Sequence, residues 1–218
     1  MKNMKLIGRL FLGLFLFAVA ISFTIQANLG LGPWDVFHSG LAETFNITFG
    51  QASIIVGFVI LGINFALGER IGWGSVCNMF FIGVFIDLIM KYELIPKSTH
   101  FVTGVIMMNV GLLLVGFASY FYISCGLGTG PRDGFMVAIL KRCNKSVALV
   151  RNSMEGFALL CGLLLGGKVG IGTIYVVFTV GFFLQFAYKV CKFDVKEVKH
   201  RYIDDDIREL WGWLRKSA

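Results

Sequence analysis

Six apolar stretches, each close to the roughly 20 residues that a bilayer-spanning helix requires, dominate this chain of 218 residues. They fall at Leu6–Ala27, Thr48–Leu67, Trp73–Met90, Phe101–Ser124, Ser146–Leu165 and Ile171–Val190. In hydrocarbon every backbone N–H and C=O must find its partner within the protein, and runs of this length do so as helices. Composition points the same way: only 15% of residues are charged, against about a quarter in soluble domains. The net charge of +7 would suit nucleic acid only if gathered on one polar face, whereas here it sits at the chain ends and in short connectors. A cytosolic enzyme, a DNA-binding module and a disordered tail are excluded, and no nucleic-acid partner is expected. The predicted fold class is an all-α membrane protein of six transmembrane helices, with the lipid bilayer as its first partner.

The first stretch follows Lys2, Lys5 and Arg9 and so imitates a signal peptide. It is too long for such a segment, and Ile25 with Ala27 makes a poor cleavage site. Basic residues also orient the chain, since they concentrate in cytoplasmic connectors. With both termini in the cytoplasm, Arg70, Arg132, Lys141, Arg142, Lys145, Arg151 and every basic residue from Lys189 onward lie inside. Of the 20 Lys and Arg residues, only Lys91, Lys97 and Lys168 fall outside. Five spans would spoil this split.

Two glycine-rich patterns recur at one offset. GLGPWDVF at Gly30–Phe37 aligns with GTGPRDGF at Gly128–Phe135, and GERIGWGS at Gly68–Ser75 aligns with GGKVGIGT at Gly166–Thr173. Both pairs are 98 positions apart, which marks an internal duplication. Residues 1–98 form the first three-span repeat, 99–191 the second, and 192–218 a tail. Three is odd, so the second repeat is expected upside-down in the membrane. Inverted repeats of this kind are common in secondary transporters.

The GxGPxD element follows the first span of each repeat. Gly30 and Gly32, with Gly128 and Gly130, end that span, and Pro33 and Pro131 open a new helix at a position where their missing N–H is no loss. Asp35 and Asp133 then face the positive end of the helix dipole. The following segments, Trp34–Phe45 and Arg132–Cys143, are too short to cross a bilayer and are predicted to be half-helices, re-entrant or interfacial. Paired discontinuous helices are the best sequence pointer to a transport site. A plain helix–helix turn with the aspartate as a cap is the competing reading. GxG at Gly72–Gly74 and Gly170–Gly172 suits close packing through small residues.

Polar residues within the spans add Arg151 and Glu155, four apart and able to pair on one helical face, together with Asn78. Asp87 has Gln185 as its counterpart, and His38 and His100 read as exposed loop residues. The five cysteines form no CxxC pair and suit packing. Gly162 to Lys168 imitates a phosphate-binding loop, but Val169 replaces the metal-binding hydroxyl and the segment ends an apolar helix. No catalytic, metal or cofactor motif occurs in the sequence, so no enzyme activity, no cofactor and no metal are expected. In the tail, Ile203, Ile207, Leu210, Trp211 and Leu214 share one helical face, which suits either the membrane interface or a neighbouring subunit.

The stretch from Asn28 to Leu61, followed by Gly68 to Leu88, resembles the YczE/YitT-type bacterial integral membrane proteins, and the YczE branch more closely. Gly30, Gly32, Pro33, Trp34, Asp35, His38, Gly40, Gly57, Gly74, Asn78, Gly83 and Asp87 carry the likeness, with Ser75 where that family often has Thr. The resemblance spans residues 6–190 and implies a bacterial inner-membrane location with an unassigned, transport-related role. The expectation is a permease for a small solute, working by alternating access. Alternatives are a non-transporting sensor or scaffold, or the membrane subunit of a larger complex; the expected protein partners are a second copy in a homo-oligomer or a partner subunit.

Overall fold

Apolar sequence of this length becomes helix because nothing else satisfies its backbone in lipid. The structure, a computed structural model, describes residues 2–209. Their helices are α1 (Lys2–Gln26), α2 (Pro33–Phe45), α3 (Phe49–Ala66), α4 (Trp73–Lys91), α5 (Phe101–Ile123), α6 (Pro131–Leu140), α7 (Val147–Leu164) and α8 (Ile171–Val190). A short 3-10 turn follows at Val195–Glu197, and no strand occurs among the described residues. By length and composition five of them, α1, α3, α4, α5 and α8, can cross a membrane. The sixth expected span is α7, which matches α3 in its 18 residues but carries Arg151, Asn152 and Glu155 in its first half.

Helices α2 and α6 have 13 and 10 residues, about 20 and 15 Å at 1.5 Å per residue, and so are half-helices in length. Each begins at its proline, with Gly32 or Gly130 extended as the N-cap. Helix α6 ends at Leu140, three residues before the Cys143 expected from sequence. The start of α3 is fixed by a capping box, in which Thr48 Oγ1 accepts from Gln51 N–H at 3.1 Å and Gln51 Oε1 accepts from Thr48 N–H at 3.0 Å.

Small residues decide which helices meet, because lipid leaves van der Waals packing as the main attraction. Helices α1 and α5 run antiparallel, with Gly13 against Phe121 and Tyr122, and Gly111 against Phe23 and Thr24. Helix α4 runs alongside α1 through Phe11–Phe81 and Phe15–Phe85, with ring centroids 4.7 and 5.6 Å apart. Helix α8 runs alongside α5, where Gly116 meets Phe183 and Ala187, and the Ser119 and Tyr188 hydroxyls lie 2.6 Å apart. The half-helices pack on the other half of the chain: α2 on α7 at Gly162, and α6 on α3, where Asn64 Nδ2 donates to the Pro131 carbonyl at 2.9 Å.

The glycine-rich loops cross in the same reciprocal way. Gly74 N–H donates to the Leu127 carbonyl and Gly172 N–H to the Leu29 carbonyl, both at 2.7 Å. Gly30 and Gly128 hold φ of 110° and 108°, a region that favours glycine. A Cβ at Gly30 would come within 2.5 Å of Gly170 N, and one at Gly128 within 2.7 Å of Gly72 Cα. The tight packing expected of the GxG pairs is present, against the opposite loop and, at Gly172, against Met108 of α5 as well.

One corresponding pair of helices differs. Helix α3 lies hard against α4: a Cβ on Gly50 would overlap the Gly83 carbonyl oxygen, and Asp87 accepts from Thr48 Oγ1 and from Gly50 N–H. Helices α7 and α8 are not among the closely packed pairs. Around Gly181, the counterpart of Gly83, nothing lies within 4 Å of an added Cβ.

The tail packs on the chain's own connectors. Arg201 N–H donates to the Gly126 carbonyl at 2.7 Å and Ile203 N–H to the Ile71 carbonyl at 2.9 Å. Arg70 binds Asp204 and Asp205 and lies 4.4 Å from the centre of the Tyr202 ring, while Trp73 Nε1 donates to Asp206 at 3.0 Å. These carboxylates hold the Arg70 guanidinium pKa above its ordinary value, Asp204 most strongly. The Tyr202 backbone N–H, then Arg70, pull the Asp205 pKa below the usual carboxylate range. Leu210, Trp211 and Leu214, on which the amphipathic reading also rested, lie outside the described residues.

Candidate functional site

The N-termini of α2 and α6 converge on one cavity of about 550 Å³, within the 300–1,000 Å³ range of small-molecule sites. Its walls come from α1, α3, α4, α5, α7 and α8, largely through apolar side chains such as Ile60, Met79, Leu112, Val176 and Val180. Where the two half-helices meet, the Arg132 guanidinium lies 4.8 Å from the Trp34 ring centre. These two residues occupy the same position of the two repeats.

Most residues marked out in the sequence gather here. Gly32, Pro33, Asp35, Gly130, Pro131, Asp133, Asn78, Arg151 and Glu155 all line the cavity. Gly30 and Gly128 do not; they sit at the loop crossings, where their positive φ is structural. Arg151 and Glu155, expected to pair four residues apart, form no ion pair. Arg151 Nη1 instead lies 3.9 Å from Asp133 Oδ1, because α6 brings a second carboxylate to it from another helix.

His38 was expected to be an exposed loop residue. It is 2% exposed, on α2, with Nδ1 3.6 Å from Asp35 Oδ1 and Nε2 3.5 Å from Arg132 Nη2. The helix that begins at Pro33 places Asp35 and His38 three apart, on one face. The two repeats differ in access: the Asp35 side chain is 18% exposed and the Asp133 side chain 48%.

Sequence reasoning also missed Trp34, Arg132 and Tyr122 as cavity residues. Arg132 reads as an orientation charge, although its place two residues after GxG, at the counterpart of Trp34, puts it in the first turn of a half-helix. Tyr122 is buried at 4% exposure and faces the cavity, and its hydroxyl has no hydrogen-bond partner. Nothing in the apolar run around it singles it out. Among the described residues no group of three or more His, Cys, Asp or Glu side chains is placed to hold a metal ion.

Apolar helices around a cavity that carries a few charged side chains define a multi-pass helical membrane protein. Residues 4–189 match the model of a family described as a family of unknown function, DUF6198. The chain is 38% identical over 181 residues to the uncharacterized membrane protein YczE of Bacillus subtilis (strain 168), covering 81% of this chain and 82% of that one. It is 33% identical over 182 residues to an uncharacterized protein of Haemophilus influenzae, covering 84% and 83%. With YyaS of B. subtilis it shares 25% identity over 180 residues, covering 80% and 88%. No solved structure matches the chain. The chain belongs to the DUF6198 family, and its likeness to the YczE branch holds over most of its length.

Proposed function

We propose that this protein is a permease of the bacterial cytoplasmic membrane, with both termini inside, that moves a small solute by alternating access between two inverted three-span repeats. It is a carrier and not an enzyme. The observation that carries the reading is the unequal packing of corresponding helices around one cavity. At the end of α3 and α4 assigned outside by the charge pattern, Asp87 and the Gly50–Gly83 contact hold the two helices together. At the corresponding inner end α7 and α8 stand apart, and Asp133 and Arg151 are about half exposed. Exchanging these two packings between the repeats would close the inner mouth and open the outer one, which is how paired repeats move a solute past a fixed site.

The competing reading, a sensor or scaffold, requires no second arrangement of the helices. Ser146→Cys with Gln185→Cys, in a background freed of the native cysteines, separates the two. These positions correspond to Thr48 and Asp87, so a disulfide between them traps the inner mouth shut. Oxidation is expected to cross-link α7 to α8 in membranes and to stop solute-dependent change in the accessibility of a cysteine at Asn152, and reduction restores it. Failure of the pair to cross-link under oxidation would leave one rigid arrangement and remove the transport reading.

A further inference from the structure

The charges of the cavity do not cancel among themselves. Asp133 faces Arg151 at 3.9 Å and Asp35 faces His38 at 3.6 Å. His38 is a cation only if protonated, so the cavity holds three carboxyl groups against two guanidiniums, and Arg132 and Glu155 take part in neither contact. Arg132 has no carboxylate within 4.0 Å among the described residues; its neighbours are the Trp34 ring at 4.8 Å and His38 Nε2 at 3.5 Å. Glu155 likewise has no basic group within 4.0 Å among the described residues and lines the cavity with Trp34. Both open into the same apolar-walled cavity, as does the Tyr122 hydroxyl, which is 4% exposed and without a partner.

We infer that the cavity binds a small zwitterion with an apolar body, of the size of an amino acid, its carboxylate on Arg132 and its ammonium on Glu155. This deepens the carrier reading by naming the class of its solute, and rests on it for the word solute alone. A guanidinium offers a planar pair of N–H donors that matches a carboxylate, and it stands at a half-helix N-terminus, where the dipole also favours negative charge. Glu155, lining the same cavity, is the group left to take the ammonium. A plain anion would leave Glu155 without a counter-charge in an apolar surround, and a plain cation would do the same to Arg132, each at a cost. The apolar side chain of the ligand would lie against Leu112, Val176 and Met79.

The test is thermal unfolding of the purified full chain in detergent, with L-leucine, L-methionine and L-phenylalanine as probes. The deaminated acid 4-methylpentanoate and the decarboxylated amine 3-methylbutylamine serve as single-charge matches to leucine. At least one amino acid is expected to raise the Tm by about 5 °C at a hundredfold excess over its Kd, with neither single-charge compound doing so. Arg132→Gln and Glu155→Gln should each raise that Kd about tenfold or more. Should either variant fail to fold, fluorescence titration of the unmodified chain replaces it: the stabilising amino acid must change the Trp34 emission, and Trp34→Phe must remove the change. Stabilisation by the acid alone, by the amine alone, or by none of the three amino acids overturns the inference. Binding is read at equilibrium, so a zwitterion that binds while the α7–α8 disulfide fails to form would sink the carrier reading and leave this one standing.

Discussion

The two halves of the molecule use one plan and pack it differently. At the loop crossings they are alike: Gly74 reaches Leu127 and Gly172 reaches Leu29, with equal hydrogen-bond lengths of 2.7 Å. At the arms they diverge, since α3 is fastened to α4 while α7 stands off α8. The sequence differs at the points of divergence. Gly50 and Asp87 of the first half are replaced in register by Ala148 and Gln185. A glycine lets two helical backbones touch, and a carboxylate at a helix N-terminus accepts its free N–H groups; alanine and glutamine do each less well. The two halves thus share their loop crossings and differ in how their arms are packed.

The sharpest way to break this comparison is to place the same bulk in both arms. Gly50→Val forces a side chain into the Gly83 carbonyl and is expected to destabilise the fold by about 3 kcal/mol. Gly181→Val enters open space and should stay within about 0.5 kcal/mol. Unfolding in a graded detergent mixture reads both, and equal losses would show that the arms are equally packed. A smaller contrast comes from the latch side chains. Asp87→Ala removes the acceptor of two hydrogen bonds and should cost about 2 kcal/mol. Gln185→Ala, on an exposed residue, should lie within about 0.5 kcal/mol by the same measurement.

The smallest effect concerns the tail, which spans the connectors of both halves. The pKa of Asp205 is depressed in the folded protein, so its contribution to docking is present above the unfolded value near about 3.9 and is lost as pH falls through the folded value. Limited proteolysis between Val198 and Ile203 should therefore be slow at neutral pH and at pH 5, and quicken only under more acid conditions. Quickening already at pH 6 would mean that Asp205 does not hold the tail.

Much of this was readable from the residues, and the unreadable parts share a cause. The spans, the half-helices and their prolines follow from local rules of length, hydropathy and backbone geometry. So does the gathering of Asp35, Asp133, Asn78 and Glu155, because the duplication places the two GxGPxD elements at matching points. What failed depended on contacts between distant segments. Arg151 reads as a partner for Glu155, yet α6 delivers Asp133 to it. His38 reads as exposed because a histidine after a glycine-rich turn gives no sign that Arg132, almost a hundred positions on, will cover it. Gly30 lies against Gly170 at the loop crossing and not on the cavity wall, a placement its motif does not show because Gly170 is likewise remote in sequence.

The crossed loops also bear on how the chain is made. Ribosomes deliver the first half before the second, and the carbonyl of Leu29 has no Gly172 N–H to receive until residue 172 has been synthesised. A buried carbonyl left without a donor costs about 1–3 kcal/mol, which disfavours early closure of the first half. The Gly74 N–H waits in the same way for Leu127. The Gly74 crossing can therefore close only once residue 127 is made and the Leu29 crossing only once residue 172 is made, so the N-terminal half is completed by its own copy.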